Sequence, residues 1–150
     1  VGAVGGSWLG RKAAGSFHST TIKKEQEDFH SAAREFAAYA GDCVKKKLIA
    51  WNDKKGQLAG CFSRSHPNSR KAGEFVSKRM TDHLSYFENK ARELDAMAGG
   101  TGETDPVGLW KQLLTLVKRA GLHPHTFQNS MRELGEAFRA YLAARMKYSL

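Results

Sequence analysis

The sequence is poor in the residues that cross-link or interrupt a small fold. It has two cysteines and three prolines among 150 residues, and runs of β-branched residues are nearly absent. Two cysteines do not make the disulfide framework of a small secreted domain, so we expect Cys43 and Cys61 to be free thiols. If one helix carries both, they lie about 27 Å apart along it, which excludes a disulfide between them.

Long hydrophobic runs are also missing. No stretch reaches the roughly 18 consecutive apolar residues that a membrane-spanning helix needs. Hydrophobic residues nevertheless make up 41% of the chain and charged residues 26%, which is the composition of a folded domain rather than a disordered one. The abundance of Ala, Leu, Lys, Glu and Arg favours helices. We therefore predict one helical domain that is large enough to bury a core.

Motifs that identify a reaction are missing as well. The six histidines show neither paired-ligand spacing nor the His-Glu-x-x-His pattern of zinc enzymes. Gly5, Gly10 and Lys12 match part of a phosphate-binding loop, but Arg11 separates Gly10 from Lys12, and no Ser or Thr follows the lysine. We predict a non-enzymatic protein with no metal site, no cofactor and no small-molecule substrate.

Amphipathic helices account for most of the chain. The strongest pattern runs from Ser19 to Trp51, where apolar residues recur every three or four positions, as on one face of a helix. Its apolar stripe is Phe29, Ala33, Phe36, Ala40, Val44, Leu48 and Trp51. Further helices are predicted at 70–98, 106–120 and 125–148, and we expect the short, apolar 106–120 helix at the centre. The fold class is thus all-α, an antiparallel bundle of four to five helices.

One boundary in this bundle is left open by the sequence. Residues 52–56 include Asn, Asp and Gly and are typical of a break or a kink. Apolar residues with helical spacing resume after them at Leu58, Cys61 and Phe62. Residues 21–63 therefore form either one helix or two.

The first residues differ from the rest because glycines recur every four positions. On a helix, Gly2, Gly6 and Gly10 would share one face and let another backbone approach closely. The apolar and basic residues around them are Trp8, Leu9, Arg11 and Lys12, an arrangement similar to a glycine zipper with a basic cytoplasmic flank. We predict a glycine-rich segment over 1–18, a Ser/Thr-rich hinge, and a bundle domain over 19–150. The segment is either a flexible or locally packed arm, or it pairs with a membrane or another helix.

Positive charge is concentrated in one part of the chain. The net charge is +9, and residues 42–79 hold ten Lys or Arg against three acids. The predicted anion-binding surface comprises Lys45, Lys46, Lys47, Lys54, Lys55, Arg64, Arg70, Lys71, Lys78 and Arg79. Such a surface binds nucleic acid through phosphate contacts, attracts an anionic membrane at about 1 kcal/mol per basic residue, or is only a solvated helix face.

Two functional hypotheses follow from these patterns. The first is a helical assembly or interaction protein that binds a protein partner or copies of itself and docks on a membrane through residues 1–18. The second is a small basic bundle that binds nucleic acid without sequence specificity. We favour the first because the glycine spacing with its basic flank is the one feature with a defined geometry. The expected location is the cytoplasm or the cytoplasmic side of a membrane.

Overall fold

Four helices and no strand make up the part of the chain that the structure describes. The computed structural model describes the backbone of residues 3–61, 67–123 and 127–148, and the side chains of residues 20–57, 70–123 and 127–148. The helices are α1 (Ala3–Cys61), α2 (Pro67–Ala98), α3 (Pro106–Arg119) and α4 (Gln128–Tyr148). The predicted all-α fold is confirmed, with four helices in the described residues.

Helix α1 is far longer than the predicted helix. Its 59 residues correspond to about 88 Å at 1.5 Å per residue. It passes through both the expected hinge at 16–21 and the expected break at 52–56, so residues 21–61 form one helix. At 52–56, isolated Asn and Gly residues cost a helix only about 1 kcal/mol each, and α2 packs against this part of α1 through the contact of Lys55 with Thr81. Cys43 and Cys61 therefore lie on the same helix, which excludes a disulfide between them.

Helix α2 runs antiparallel to α1. The Lys45 ammonium lies 2.8 Å from a carboxylate oxygen of Asp95. Ten residues further along α1, the Lys55 ammonium donates to the Thr81 hydroxyl at 2.7 Å. Because α2 numbers fall as α1 numbers rise, the two helices form an extended antiparallel hairpin.

Helix α4 covers α1 from another side, also in the antiparallel direction. The rings of Phe29 and Phe138 have centroids 5.2 Å apart, and those of Phe36 and Phe127 are 5.8 Å apart. Trp110 of α3 stacks on Phe138 with centroids 4.8 Å apart. This aromatic cluster joins α1, α3 and α4 at one end of the core.

Helix α3 runs parallel to α1 and has clear local start and stop signals. The Asp105 carboxylate accepts a hydrogen bond from the Gly108 amide at 3.1 Å, as an N-cap residue does, and Pro106 occupies the first turn. After the helix, Gly121 has a φ of +64°, a conformation that glycine adopts without steric cost. The predicted bounds of this helix are confirmed to within one residue.

The core follows the predicted stripe on α1, with one exception. Every stripe residue from Phe29 to Leu48 is buried, together with Leu94, Leu113 and Leu134 from the other helices. Trp51 is 38% exposed, so its assignment to the core is wrong. The reason is that α3 ends before it reaches the level of Trp51.

The expected central position of the 106–120 helix is also wrong. Helix α1 packs against each of the other three helices and is the central element. Helix α3 buries one face through Leu109, Leu113 and Leu116 and exposes the opposite face. A 14-residue helix is too short to run the length of α1, whatever its apolar content.

Candidate interaction surface on the α1–α2 hairpin

The α1–α2 hairpin extends beyond the end of α3. Two side chains mark that end. The Lys47 ammonium donates to the Gly121 carbonyl at 3.0 Å, and the Tyr86 hydroxyl donates to the Arg119 carbonyl at 3.3 Å. Beyond these contacts α1 continues to Cys61, and α2 begins at Pro67. We call α1 residues 48–61 with α2 residues 67–85 the distal hairpin.

Large apolar side chains are exposed in the distal hairpin. Phe75 is 65% exposed, Ile49 64% and Trp51 38%. Two helices alone bury only the stripe along their contact, whereas a bundle of four covers a wider face. The exposure of these residues follows from the absence of a third described helix over this part of α1 and α2.

Aromatic and basic side chains meet on one side of the distal hairpin. The rings of Trp51 and His83 make an edge contact with centroids 5.5 Å apart. The Lys54 ammonium lies 5.3 Å from the centre of the Trp51 ring, and the Arg79 guanidinium lies 5.9 Å from the centre of the Phe75 ring. Cations at such distances from a ring face are attracted by its quadrupole. We call Lys47, Trp51, Lys54, Phe75, Arg79 and His83 the basic aromatic face.

Two cavities open on this face, and both are lined by Trp51 and His83. The first, of about 180 Å³, lies where α3 ends on the hairpin, and Leu48, Phe87 and Ala120 supply its apolar walls. The second is an open groove of about 540 Å³ that also touches Arg79, Met80 and Asp82. The face therefore combines an apolar recess with cations at its rim.

The predicted anion-binding residues do not form one patch. Lys45 and Lys55 are engaged with Asp95 and Thr81 across the hairpin. Lys46 lies about 140° around α1 from Trp51, and Lys78 lies about 140° around α2 from His83. Of the predicted members, Lys47 lines the first cavity and Arg79 lines the groove, and Lys54 lies against the Trp51 ring that both share. Arg70 and Lys71 are exposed near the start of α2, and Arg64 lies outside the described residues.

The electrostatics of Lys45 reflect its partner on α2. The hydrogen bond to the Asp95 carboxylate raises the pKa of Lys45 above its ordinary value of 10.5. Partial desolvation opposes this rise, and the nearby charges of Asp95 and Asp42 add to it. Lys45 thus belongs to the contact between α1 and α2 rather than to a free anion-binding surface.

The predicted membrane or helix-pairing residues lie mostly beyond what the structure describes. Gly2 is outside the described residues, and Gly6, Trp8, Leu9, Gly10, Arg11 and Lys12 lie on the backbone of α1 with side chains outside them. The helical backbone places Gly6 and Gly10 one turn apart. The helix-pairing role of this segment stays a prediction.

His83 was not predicted as a site residue, and Trp51 was predicted as part of the apolar stripe of α1. His83 contacts both Trp51 and Phe87 with its ring. One signal was available in the sequence: on the helix predicted over 70–98, the apolar stripe can include either Phe75 or Val76, and either His83 or Leu84. In the structure Leu84 is buried and Phe75 is exposed.

The described residues contain no group of three or more His, Cys, Asp or Glu side chains that could hold a metal ion. No helix among them is both long enough and apolar enough to cross a membrane.

Comparison with protein families, with curated proteins and with solved structures found no match to this chain.

Proposed function

We propose that this chain is a non-enzymatic helical assembly protein that binds a protein partner through the basic aromatic face. The observation that supports it best is the composition of that face. Trp51 and Phe75 are exposed, with Lys54 beside the first ring and Arg79 beside the second, and Trp51 also lines an apolar cavity at the end of α3. Aromatic and Arg side chains around a recess are typical of the centre of protein interfaces.

The described bundle suits such a role. Its core is continuous across the four helices, and α1 provides one rigid element from the bundle into the distal hairpin. A binding surface on rigid helices is ordered before the partner arrives, which lowers the entropy cost of association.

The N-terminal glycine segment is the second element of the proposal. If its glycines pair with a membrane or with another copy of the chain, residues 1–15 would hold the protein in place while the hairpin binds the partner. Its small residues and basic flank at Arg11 and Lys12 support this role. It acts far from the hairpin face and can be tested separately.

Nucleic-acid binding is the alternative function, and one observation favours it. The partly exposed ring of Trp51 beside the Lys54 ammonium has the chemistry of a base-stacking platform next to a phosphate contact. Binding of this kind would be independent of base sequence and would weaken steeply as salt is added.

Flotation with liposomes and analytical ultracentrifugation test the assembly proposal. The full chain is compared with a Gly6→Leu/Gly10→Leu variant on anionic and neutral liposomes, at low and high salt. We expect retention on both lipids or concentration-dependent self-association. The double glycine substitution should remove the self-association, because leucine side chains keep the paired backbones apart. A chain that neither floats nor self-associates would contradict the role of the N-terminal segment.

Titration with duplex DNA decides between the two functions. If a Lys54→Glu/Arg79→Glu variant loses DNA affinity and wild-type binding falls steeply with salt, the nucleic-acid alternative replaces the first proposal. The matched control is Lys46→Glu/Lys78→Glu, which changes the net charge equally on other faces of the same helices. Equal losses in both variants would mean that total charge rather than the face determines DNA binding.

A further inference from the structure

We infer that the basic aromatic face binds an acidic amphipathic helix of a partner protein, which lies beyond α3 in the position that α3 occupies within the bundle. This inference rests on the proposed interaction function and specifies the chemistry of the partner.

The first argument is the position that α3 leaves open. In the bundle, α3 packs on both α1 and α2, and its end is marked by the hydrogen bonds from Lys47 and Tyr86. The same two helices continue past that end, where Trp51 lines the cavity with Ala120 and Gly121 and is 38% exposed. α1 continues for residues 48–61, about 20 Å, which matches a partner helix of about four turns. Insertion of an amphipathic helix between two helices is a recurring mode of peptide recognition.

The second argument is the cavity at the end of α3. Its walls are Leu48, Phe87 and Ala120, with Trp51 and His83 at the side. A volume of about 180 Å³ is comparable to cavities of about 150 Å³ that accommodate a benzene ring. It therefore fits one large apolar side chain, which is the usual form of an interface anchor. A ligand that offers only charge would leave this cavity unfilled.

The third argument is charge. Neither Lys54 nor Arg79 has an ion pair with another described residue, and each lies against an aromatic ring instead. The open groove is lined by Arg79 and one acid, Asp82. Lys47 at the cavity and Lys54 beside Trp51 add two further cations, so basic side chains outnumber acidic ones among these residues. A helix with Glu or Asp flanking its apolar stripe complements that balance. A second copy of this chain is a poorer fit, because its net charge of +9 opposes self-association through a basic face.

The test uses the full chain and a synthetic helical peptide. The peptide has about 14 residues, with Leu at positions 1, 4, 5, 8, 11 and 12, as in an amphipathic stripe, and Glu or Ala elsewhere. One control has the same composition in an order that scatters the leucines around the helix. A second control has Lys in place of Glu. Affinity is measured by titration calorimetry, and the site by NMR chemical-shift changes of the His83 and Trp51 rings.

We expect the acidic amphipathic peptide to bind at least tenfold more tightly than either control peptide. Lys54→Glu/Arg79→Glu should weaken its binding at least tenfold, and Trp51→Ala should weaken it as well, whereas Lys46→Glu/Lys78→Glu should change it less than threefold. Circular dichroism of every variant must match wild type, since these residues are exposed and outside the core.

Three outcomes would overturn the inference. They are no binding of the acidic peptide, equally tight binding of the scattered peptide, and an equal loss of affinity in the two double variants. A fourth outcome reassigns the face. If duplex DNA or anionic vesicles bind through Lys54 and Arg79 and the peptide does not, the face belongs to that ligand. Flotation and self-association depend on the N-terminal segment, so failure of the peptide test is distinct from failure of the assembly proposal.

Discussion

Two sections of the described α1 helix are packed in different ways. Between Phe29 and Leu48, α1 is covered by α2, α3 and α4, and its apolar stripe is buried. From residue 49 onward only α2 continues beside it among the described elements, and Ile49 and Trp51 are exposed. Large apolar side chains therefore stabilise the core in the first section and are exposed to solvent in the second.

This difference shows that the role of an apolar residue on α1 depends on how many other helices pack beside α1 at its position. Leu48 and Trp51 lie three positions apart on the same face of α1, yet the first is buried and the second is partly exposed. Helix α3 ends beside Lys47, whose ammonium donates to the Gly121 carbonyl, and so does not extend as far as Trp51. The four-helix section should therefore supply most of the folding free energy, and the distal hairpin should be available for binding.

The largest effect should come from a cavity in the four-helix section. Leu94 is fully buried, so Leu94→Ala should lower the free energy of unfolding by about 2–5 kcal/mol. Met80 is partly exposed in the distal hairpin, and Met80→Ala should cost no more than about 1 kcal/mol. Urea unfolding followed by circular dichroism measures both values. Equal losses would mean that the hairpin contributes to stability as much as the bundle does.

Much of the fold follows from local patterns in the sequence, and the positions of its parts relative to one another do not. The bounds of α3 were predictable because Asp105, Pro106 and Gly121 are strong local signals. At 16–21, where a hinge was expected, the backbone of α1 is helical. The alternative left open at 52–56 is resolved as one helix, because single weak helix formers do not outweigh packing against α2. Trp51 was misplaced because its periodicity says which face it lies on but not whether a third helix reaches it.

The candidate surface was predictable only as a list of charges. The concentration of Lys and Arg between residues 42 and 79 is visible in composition alone. Which of them converge depends on the register of α2 against α1, and that register is set by packing between helices. The contact of His83 with Trp51 joins residues that are far apart in the sequence, so no local pattern could reveal it.

Two glycines of α1 provide the next comparison between the sections. A Cβ atom at Gly41, in the bundle, would lie 3.1 Å from an Asp95 oxygen and 3.6 Å from the Leu94 Cβ. At Gly56, in the distal hairpin, nothing lies within 4 Å. We expect Gly41→Leu to destabilise the protein by about 1–3 kcal/mol through overpacking.

The matched change Gly56→Leu should stabilise the protein by about 0.5–1 kcal/mol, because glycine is a poor helix former. Thermal and urea unfolding of the two variants measure both effects. A loss of stability in Gly56→Leu would show that this part of α1 is packed more closely than the distal hairpin as we describe it.

A smaller effect is expected where the two sections meet. Removing the hydroxyl in Tyr86→Phe deletes the hydrogen bond to the Arg119 carbonyl and keeps the ring beside Lys90. The expected loss is about 0.5–1 kcal/mol, with faster hydrogen exchange in the last turn of α3. Tyr39→Phe is the control, since Tyr39 contacts Phe127 through its ring. Equal hydrogen exchange in α3 for both variants would mean that Tyr86 does not hold this helix end.

The smallest effect concerns the Lys45–Asp95 pair, which links α1 to α2 in the four-helix section. Because the pKa of Lys45 is raised above 10.5 in the folded protein by its hydrogen bond to Asp95, folding favours the protonated amine. Its contribution is therefore fully present below pH 10.5 and is lost as the pH rises through the higher folded pKa. Both side chains are about half exposed, so solvent and salt weaken the interaction.

We expect Lys45→Met to be less stable than wild type at neutral pH and low salt, and this difference to shrink above about pH 10.5. Lys46→Met, on an exposed residue of the same helix, should show no such pH dependence in urea unfolding. A Lys45→Met difference that persists at high pH would assign the loss to packing of the lysine chain instead of its charge.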